Sequence, residues 1–257
     1  MNIPRISSGI PALDNMLSGG FIPESSILLR GAPGTGKTTF AFQFLIEGLR
    51  QNQPGLLVAF EEFPESLYRD AASLGWDLKS FEASGLLHIM FTSPEVFLHS
   101  LSSPESTLTR RIHEHDIQRI ALDSLTHFTR ITTNTHELRD LYNRVINGIR
   151  REQLTGLYLA EEMRSDFTAD EKGRLSFIVD CIVLLRYLEI DSAIERAITV
   201  LKMRSSDHDK QIHRFTIEAN NAPYASRIHI GPPLQGKAGL LAVLTERRII
   251  SNVRSTQ

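Results

Sequence analysis

Cysteine is nearly absent from this chain. Cys181 is the single one in 257 residues, so no disulfide can form within the chain. That excludes a disulfide-stapled scaffold and fits a reducing compartment. A charge excess of either sign is also missing: 28 Lys and Arg face 30 Asp and Glu, a net charge of −2. Nothing global calls for nucleic acid, and no acidic tail keeps the chain in solution, although a local basic patch is still allowed. Long hydrophobic runs are lacking. Even runs such as Cys181 to Leu185 fall far short of the roughly 20 residues of a spanning helix. Met1 to Ile10 has no basic stretch followed by an apolar one, so a soluble, cytoplasmic protein with no membrane partner is expected. Internal repeats and low-complexity segments are absent too. What is present is ordinary globular composition, 41% hydrophobic and 23% charged, enough for one large domain or two small ones.

Short apolar runs alternate with longer amphipathic ones. Ile27–Leu29, Leu56–Phe60, Leu86–Phe91, Arg119–Leu122 and Gly156–Ala160 have strand length. They suit the interior of a parallel sheet covered on both faces. Between them, 37–51, 66–74, 107–115 and 136–152 read as helices. In the last, Leu138, Leu141, Tyr142, Val145 and Ile149 share one face. The alternation predicts an α/β fold, a mostly parallel central sheet flanked by helices. After Asp180 three further strands, 181–188, 197–203 and 214–217, follow without long helices between them. They predict a C-terminal antiparallel extension of the same sheet. Residues 1–230 are expected to form one domain. Residues 231–257 are expected to be a tail, with a short helix or strand over Leu240–Ile250 at a subunit or partner surface.

One motif carries chemistry by itself. Gly31-Ala32-Pro33-Gly34-Thr35-Gly36-Lys37-Thr38 fills every position of the phosphate-binding pattern G-x-x-x-x-G-K-[ST], with a strand before it and a helix after it. Glycines let successive backbone N–H groups curl around phosphate oxygens, and the helix N-terminus adds a favourable field. In such a loop Lys37 holds the β- and γ-phosphates, the Thr38 hydroxyl ligates Mg²⁺, and Thr39 reaches the α-phosphate. The ligand is therefore expected to be ATP with Mg²⁺. The second metal-side acid should end a downstream strand, and Asp123 does so after Arg119-Ile120-Ala121-Leu122. Hydrolysis also needs a carboxylate to activate water. Glu61-Glu62 follows the second strand run, where strand ends form the ligand crevice of an α/β sheet. Glu61 is assigned as the base and Glu62 as its partner; mutual repulsion of the adjacent acids should raise the pKa of one of them. Glu161-Glu162 is the rival pair.

The surroundings of this loop resemble one family. Ser8-Gly9-Ile10-Pro11-Ala12-Leu13-Asp14, Gly19-Gly20-Phe21-Ile22-Pro23, Phe60-Glu61-Glu62, Leu122-Asp123-Ser124-Leu125-Thr126, the stretch Asp180 to Glu189 and Lys202-Met203-Arg204-Ser205-Ser206-Asp207-His208 are similar to the KaiC family of RecA-like ATPases, over about residues 3–220. The resemblance implies a RecA-like P-loop NTPase fold and a homo-oligomeric ring, usually a hexamer, with ATP at subunit interfaces. It also implies that Lys202 and Arg204 reach the γ-phosphate of the neighbour's nucleotide, with Ser206 and His208 near its sugar or phosphate. Alternation along a strand puts residues 202 and 204 on one face, and two cations there would stabilise transition-state charge. Two features depart from the family. Ser205-Ser206 replaces the usual Gly-Thr or Gly-Ser after the arginine. At the family's Ser-Thr phosphorylation pair, Ser176 is kept and Phe177 takes the threonine position, which excludes a two-site phosphorylation cycle and leaves autokinase activity at Ser176 disfavoured.

Three functions compete on these residues. The leading one is a slow Mg²⁺-dependent ATPase, a ring-forming switch acting on a regulatory protein partner. The second is a nucleotide-gated DNA-binding protein resembling recombination mediators, reading DNA through loops 126–135 and 164–174, the latter with Lys172 and Arg174. Near-neutral charge disfavours it. The third is a scaffold that binds ATP to assemble and does not hydrolyse it. Retention of Glu61, Asp123 and both cations disfavours that one. The nine histidines show no metal-site spacing, and Arg247-Arg248 is read as a solvated face.

Overall fold

The computed structural model describes residues 4–161, 175–190 and 192–234. Glu162, the loop 164–174, and the tail with Leu240–Ile250 and Arg247-Arg248 lie outside them. Nine strands form one sheet among the described residues: β1 (Ser26–Gly31), β2 (Gly55–Ala59), β3 (Leu87–Phe91), β4 (Arg119–Asp123), β5 (Thr155–Glu161), β6 (Cys181–Ile190), β7 (Ala193–Met203), β8 (His213–Ile217) and β9 (Ile228–Pro233). Their order is β3-β2-β4-β5-β1-β6-β7-β8-β9. From β3 to β6 all neighbours are parallel, and β7, β8 and β9 continue antiparallel. The parallel core and the antiparallel extension are both as the sequence predicts.

The apolar strands are uninterrupted because both faces are covered. Alternate residues of one strand enter different cores. Ile27, Leu29, Leu57 and Ala59 pack with α1 (Pro11–Met16), α2 (Lys37–Arg50), α3 (Pro64–Ser73) and α4 (Leu78–Ala83). Leu28, Leu56 and Val58 pack on the other face with α5 (Pro94–Ser102), α6 (Thr107–Glu114) and α7 (Thr135–Arg151). Local chemistry starts these helices. Asn134 accepts from the N–H groups of His136 and Glu137 to open α7. Ser93 caps α5 ahead of Pro94, and Ser106 caps α6.

Several elements had no sequence signal. The helices α1 and α4 are six residues each, too short for a periodic pattern. A 3-10 turn, Leu125–Arg130, follows β4. Strand β9 runs through Pro232 and Pro233, beyond the expected boundary at residue 230. Prolines are tolerated there because β9 is the edge strand and needs no outward N–H. Cys181 is buried at the start of β6, as a structural thiol, and burial pushes its pKa up to about 12. No helix among the described residues is long and apolar enough to cross a membrane.

Candidate functional site

The phosphate loop connects the central strand β1 to α2. Gly34 and Gly36 adopt φ of +76° and +101°, which glycine reaches without strain, and Gly36 caps α2. Thr35 is buried, and its hydroxyl donates to the Ala32 carbonyl at 2.8 Å, closing the loop on itself. Lys37 is buried, and its Nζ donates to the carbonyls of Gly31 at 3.0 Å and Ala32 at 3.2 Å. Desolvation lowers the Lys37 pKa, opposed by the charges of Glu161 and Asp123.

Strand alternation decides where Asp123 points. Ile120 and Leu122 enter the α7 side, and Ala121 enters the α2 side. Two residues past Ala121, Asp123 faces α2, and the Thr38 hydroxyl donates to its Oδ2 at 2.7 Å. Desolvation raises the Asp123 pKa, against the hydrogen bond from Thr38 and the charges of Lys37 and His127. Strand β2 pairs Ala59 with Asp123, so Glu61 and Glu62 emerge just beyond the same sheet edge. Pro33, Gly34, Gly36, Lys37, Thr38, Thr39, Glu61, Glu62 and Asp123 all line one cleft of about 560 Å³, and Gly31 meets it through its carbonyl, which accepts from Lys37. The two glutamates differ in environment. Glu61 is exposed and lies 3.2 Å from His127 Nε2 and 3.4 Å from Arg130. Glu62 has its pKa raised by desolvation, then by the charges of Asp123, Asp70 and Glu61. Glu161 also lines the cleft, from the end of β5.

Four predicted site residues are elsewhere. Lys202 pairs across β6 with Ile182, which pairs with Leu28, whereas the phosphate loop leaves β1 at Gly31 beside Leu185. The Lys202 backbone is thus roughly 10 Å down the strand from the cleft edge. Its side chain runs further away and donates to the carbonyls of Ser176 and of Val179, the latter at 2.7 Å. Arg204 donates to the Phe177 carbonyl at 2.6 Å and lies 3.5 Å from Asp180. Ser206 and His208 follow in the same loop, and Ser176 meets this end of the sheet through its carbonyl, which accepts from Lys202. This end of the sheet cannot reach the chain's own cleft.

Other cleft residues gave no sequence signal. Arg196 pairs with Tyr187 on the β6–β7 hairpin and donates to the Gly34 carbonyl at 3.4 Å. A Cβ at Gly34 would come within 2.8 Å of the Tyr187 hydroxyl, and one at Gly36 would strike Ile217. His127 and, from α3, Asp70 and Ser73 complete the walls. Only the fold brings these five segments together.

A glycine loop before a helix, with a threonine hydroxyl on a strand-end aspartate, defines a P-loop nucleotide-binding protein of RecA-like architecture. The KaiC ATPase family model matches residues 6–223. The circadian clock oscillator protein KaiC of Picosynechococcus is 38% identical over 220 residues, 85% of this chain and 42% of that protein. The circadian clock protein KaiC3 of Synechocystis is 35% identical over 239 residues, 93% of this chain and 46% of that one. The crystal structure of a KaiC-like protein from Pyrococcus horikoshii superposes with a TM-score of 0.77 at 27% identity, covering 90% of this chain and all of that one. The chain belongs to the KaiC family of ATPases. It spans less than half the length of the curated relatives it matches.

Proposed function

We propose that this protein binds Mg²⁺-ATP in the cleft and hydrolyses it slowly at the boundary between copies of itself. The copies are read as a ring, a hexamer as in the family resemblance, that acts as a molecular switch on a regulatory partner. The observation that carries this reading is the separation of two half-sites: a carboxylate-lined phosphate cleft at one end of the sheet and a two-cation loop at the other. Neither half can serve the other within one chain. A neighbouring copy, docked head to tail, satisfies both.

The donor set at the cleft fits a magnesium ion bound with a nucleotide. Among the described residues no cluster of three or more His, Cys, Asp or Glu could hold a metal alone. Mg²⁺ ordinarily takes one or two protein oxygens and fills its shell with phosphate and water. Thr38 and Asp123 would hold it, and when bound it supplies charge neutralisation across the β- and γ-phosphates. Lys37 turns its ammonium from the loop carbonyls to those same phosphates, and Thr39 meets the α-phosphate. Glu61, steadied by His127 and Arg130, orients water and takes its proton. The new bond forms from water oxygen to γ-phosphorus, and the bond from γ-phosphorus to the β-phosphate oxygen breaks, releasing ADP. Lys202 and Arg204 of the neighbour offset the charge that develops, with Ser206 and His208 against its sugar or phosphate.

Phosphate release per protomer, measured across a wide range of protein concentration for wild type and Arg204→Ala, tests this. Specific activity should rise with concentration, and the variant should lose on the order of a thousandfold. Activity independent of both concentration and Arg204 rejects the shared site. Assembly on ATP with no phosphate release favours the scaffold, and salt-sensitive retention on DNA favours the DNA-binding reading.

A further inference from the structure

The loop that carries Arg204 and Ser206 contains a conformation its residues resist. Ser205 has φ +60°, the left-handed region that glycine enters freely and serine does not. Something must hold the turn. Three hydrogen bonds tie the loop to the N-terminal segment. Arg5 donates to the Ser206 hydroxyl at 2.7 Å, the Ser18 hydroxyl donates to the Asp207 carbonyl at 3.0 Å, and the Asp209 N–H donates to the Met16 carbonyl at 2.7 Å. Arg5 itself is firmly based. The next residue, Ile6, exchanges both backbone hydrogen bonds with Phe21 at 2.8 Å, and the second Arg5 nitrogen donates to the carbonyls of Leu17 at 3.2 Å and Gly20 at 3.1 Å.

We propose that Arg5 is a positioning residue for the shared site: bound to Ser206, it holds the loop over 204–209 in its left-handed turn so that the loop can meet the nucleotide of the neighbouring copy. The proposal rests on the shared-site reading above. Its physical content is preorganisation. Arg5 spreads one rigid guanidinium over three neutral oxygens, two on the turn that ends α1 and one on the loop. A loop freed from this fork samples other turns at Ser205, and small misplacement of a charge-stabilising group costs rate steeply. Arg5 acts on its neighbour's chemistry and not on its own cleft.

Mixing copies tests that direction. The cleft-dead partner is Glu61→Gln/Glu62→Gln, which keeps its phosphate loop and its cation loop. Arg5→Ala alone should lose on the order of tenfold in phosphate release per site, with ATP binding at its own cleft unchanged. Mixed with the cleft-dead partner at equal ratio, it should regain activity, because the partner's intact loop completes the Arg5→Ala cleft. Arg5→Lys, which keeps one donor to Ser206, should lie between Arg5→Ala and wild type. Arg204→Ala mixed with the same partner is the control. If that control regains activity and Arg5→Ala does not, Arg5 works within its own subunit and the proposal is wrong. Unchanged activity in Arg5→Ala also overturns it. If the control itself fails to complement, the shared-site reading falls and takes the proposal with it. Should Arg5→Ala fail to fold, Arg5→Lys in the same mixture decides the same question.

Discussion

The two ends of the central sheet are built on different principles. At the cleft end, glycines take the positive φ angles, carboxylates predominate, and Lys37 is buried among its own loop's carbonyls. At the far end the cation loop takes its positive φ at a serine, and Lys202 and Arg204 rest on the carbonyls of residues 176–179. The cleft end is organised chiefly by its local sequence, since its glycines take the positive φ angles and Thr35 and Lys37 bond to carbonyls of the same loop. The far end is organised by a distant segment, residues 5–20, that reaches across to hold it. The local half-site is thus legible as a motif, and the other half needs tertiary ties to be anything more than a polar connector.

Substitutions can break this contrast, the largest effect first. Lys37→Ala should abolish nucleotide binding at the cleft as well as hydrolysis, whereas Arg204→Ala should retain binding and lose only turnover. Fluorescent-nucleotide titration of both variants separates them, and equal loss of binding in both would mean the two ends are not functionally distinct. Within the cleft, Glu61→Gln should cost about a hundredfold or more in turnover and Glu62→Gln about tenfold. The pH profile tests the assignment. Desolvation and the charges of Asp123, Asp70 and Glu61 keep the proton on Glu62 to higher pH than on an ordinary glutamate, so its carboxylate is lost earlier than an ordinary one as pH falls. Glu62→Gln should therefore shift the acid-side decline of turnover to lower pH; an unmoved profile would remove Glu62 from the titrating machinery. The smallest effect belongs to the far end. Ser205→Gly should raise stability by about 1 kcal/mol, because glycine accepts φ +60° without the clash that serine meets. Thermal or urea unfolding measures it, and no gain would mean the turn is not strained.

Much of the fold follows from patterns confined to short windows. Apolar runs at Leu56–Phe60 and Arg119–Leu122 are strands because alternate residues feed two cores, and both cores need filling. The helix α7 is legible because its buried face repeats over 17 residues. Six-residue helices such as α1 and α4 offer too few turns for a period to register. Pro232 and Pro233 read as strand breakers, and only the edge position of β9 makes them admissible. The cleft divides in the same way. Phosphate-loop residues and Asp123 announce themselves through spacing and strand-end placement. Tyr187, Arg196 and Ile217 do not, because they come to the loop through the register of antiparallel strands more than 150 residues away.

From the sequence alone come the phosphate loop, the acids at the strand ends and the alternation of the central strands with the longer helices. Each of these is set by the backbone and side-chain chemistry of a few consecutive residues. Tertiary structure decided which side chains share a space. Strand alternation set Asp123 against Thr38. Antiparallel pairing carried Lys202 and Arg204 to the end of the sheet opposite their own phosphate loop, because each reversal of chain direction moves a strand's last residues to the other edge. Long-range hydrogen bonds brought Arg5 to Ser206, a contact between residues 201 apart in the chain. Such a pairing exists only once the sheet has formed, since nothing local favours it.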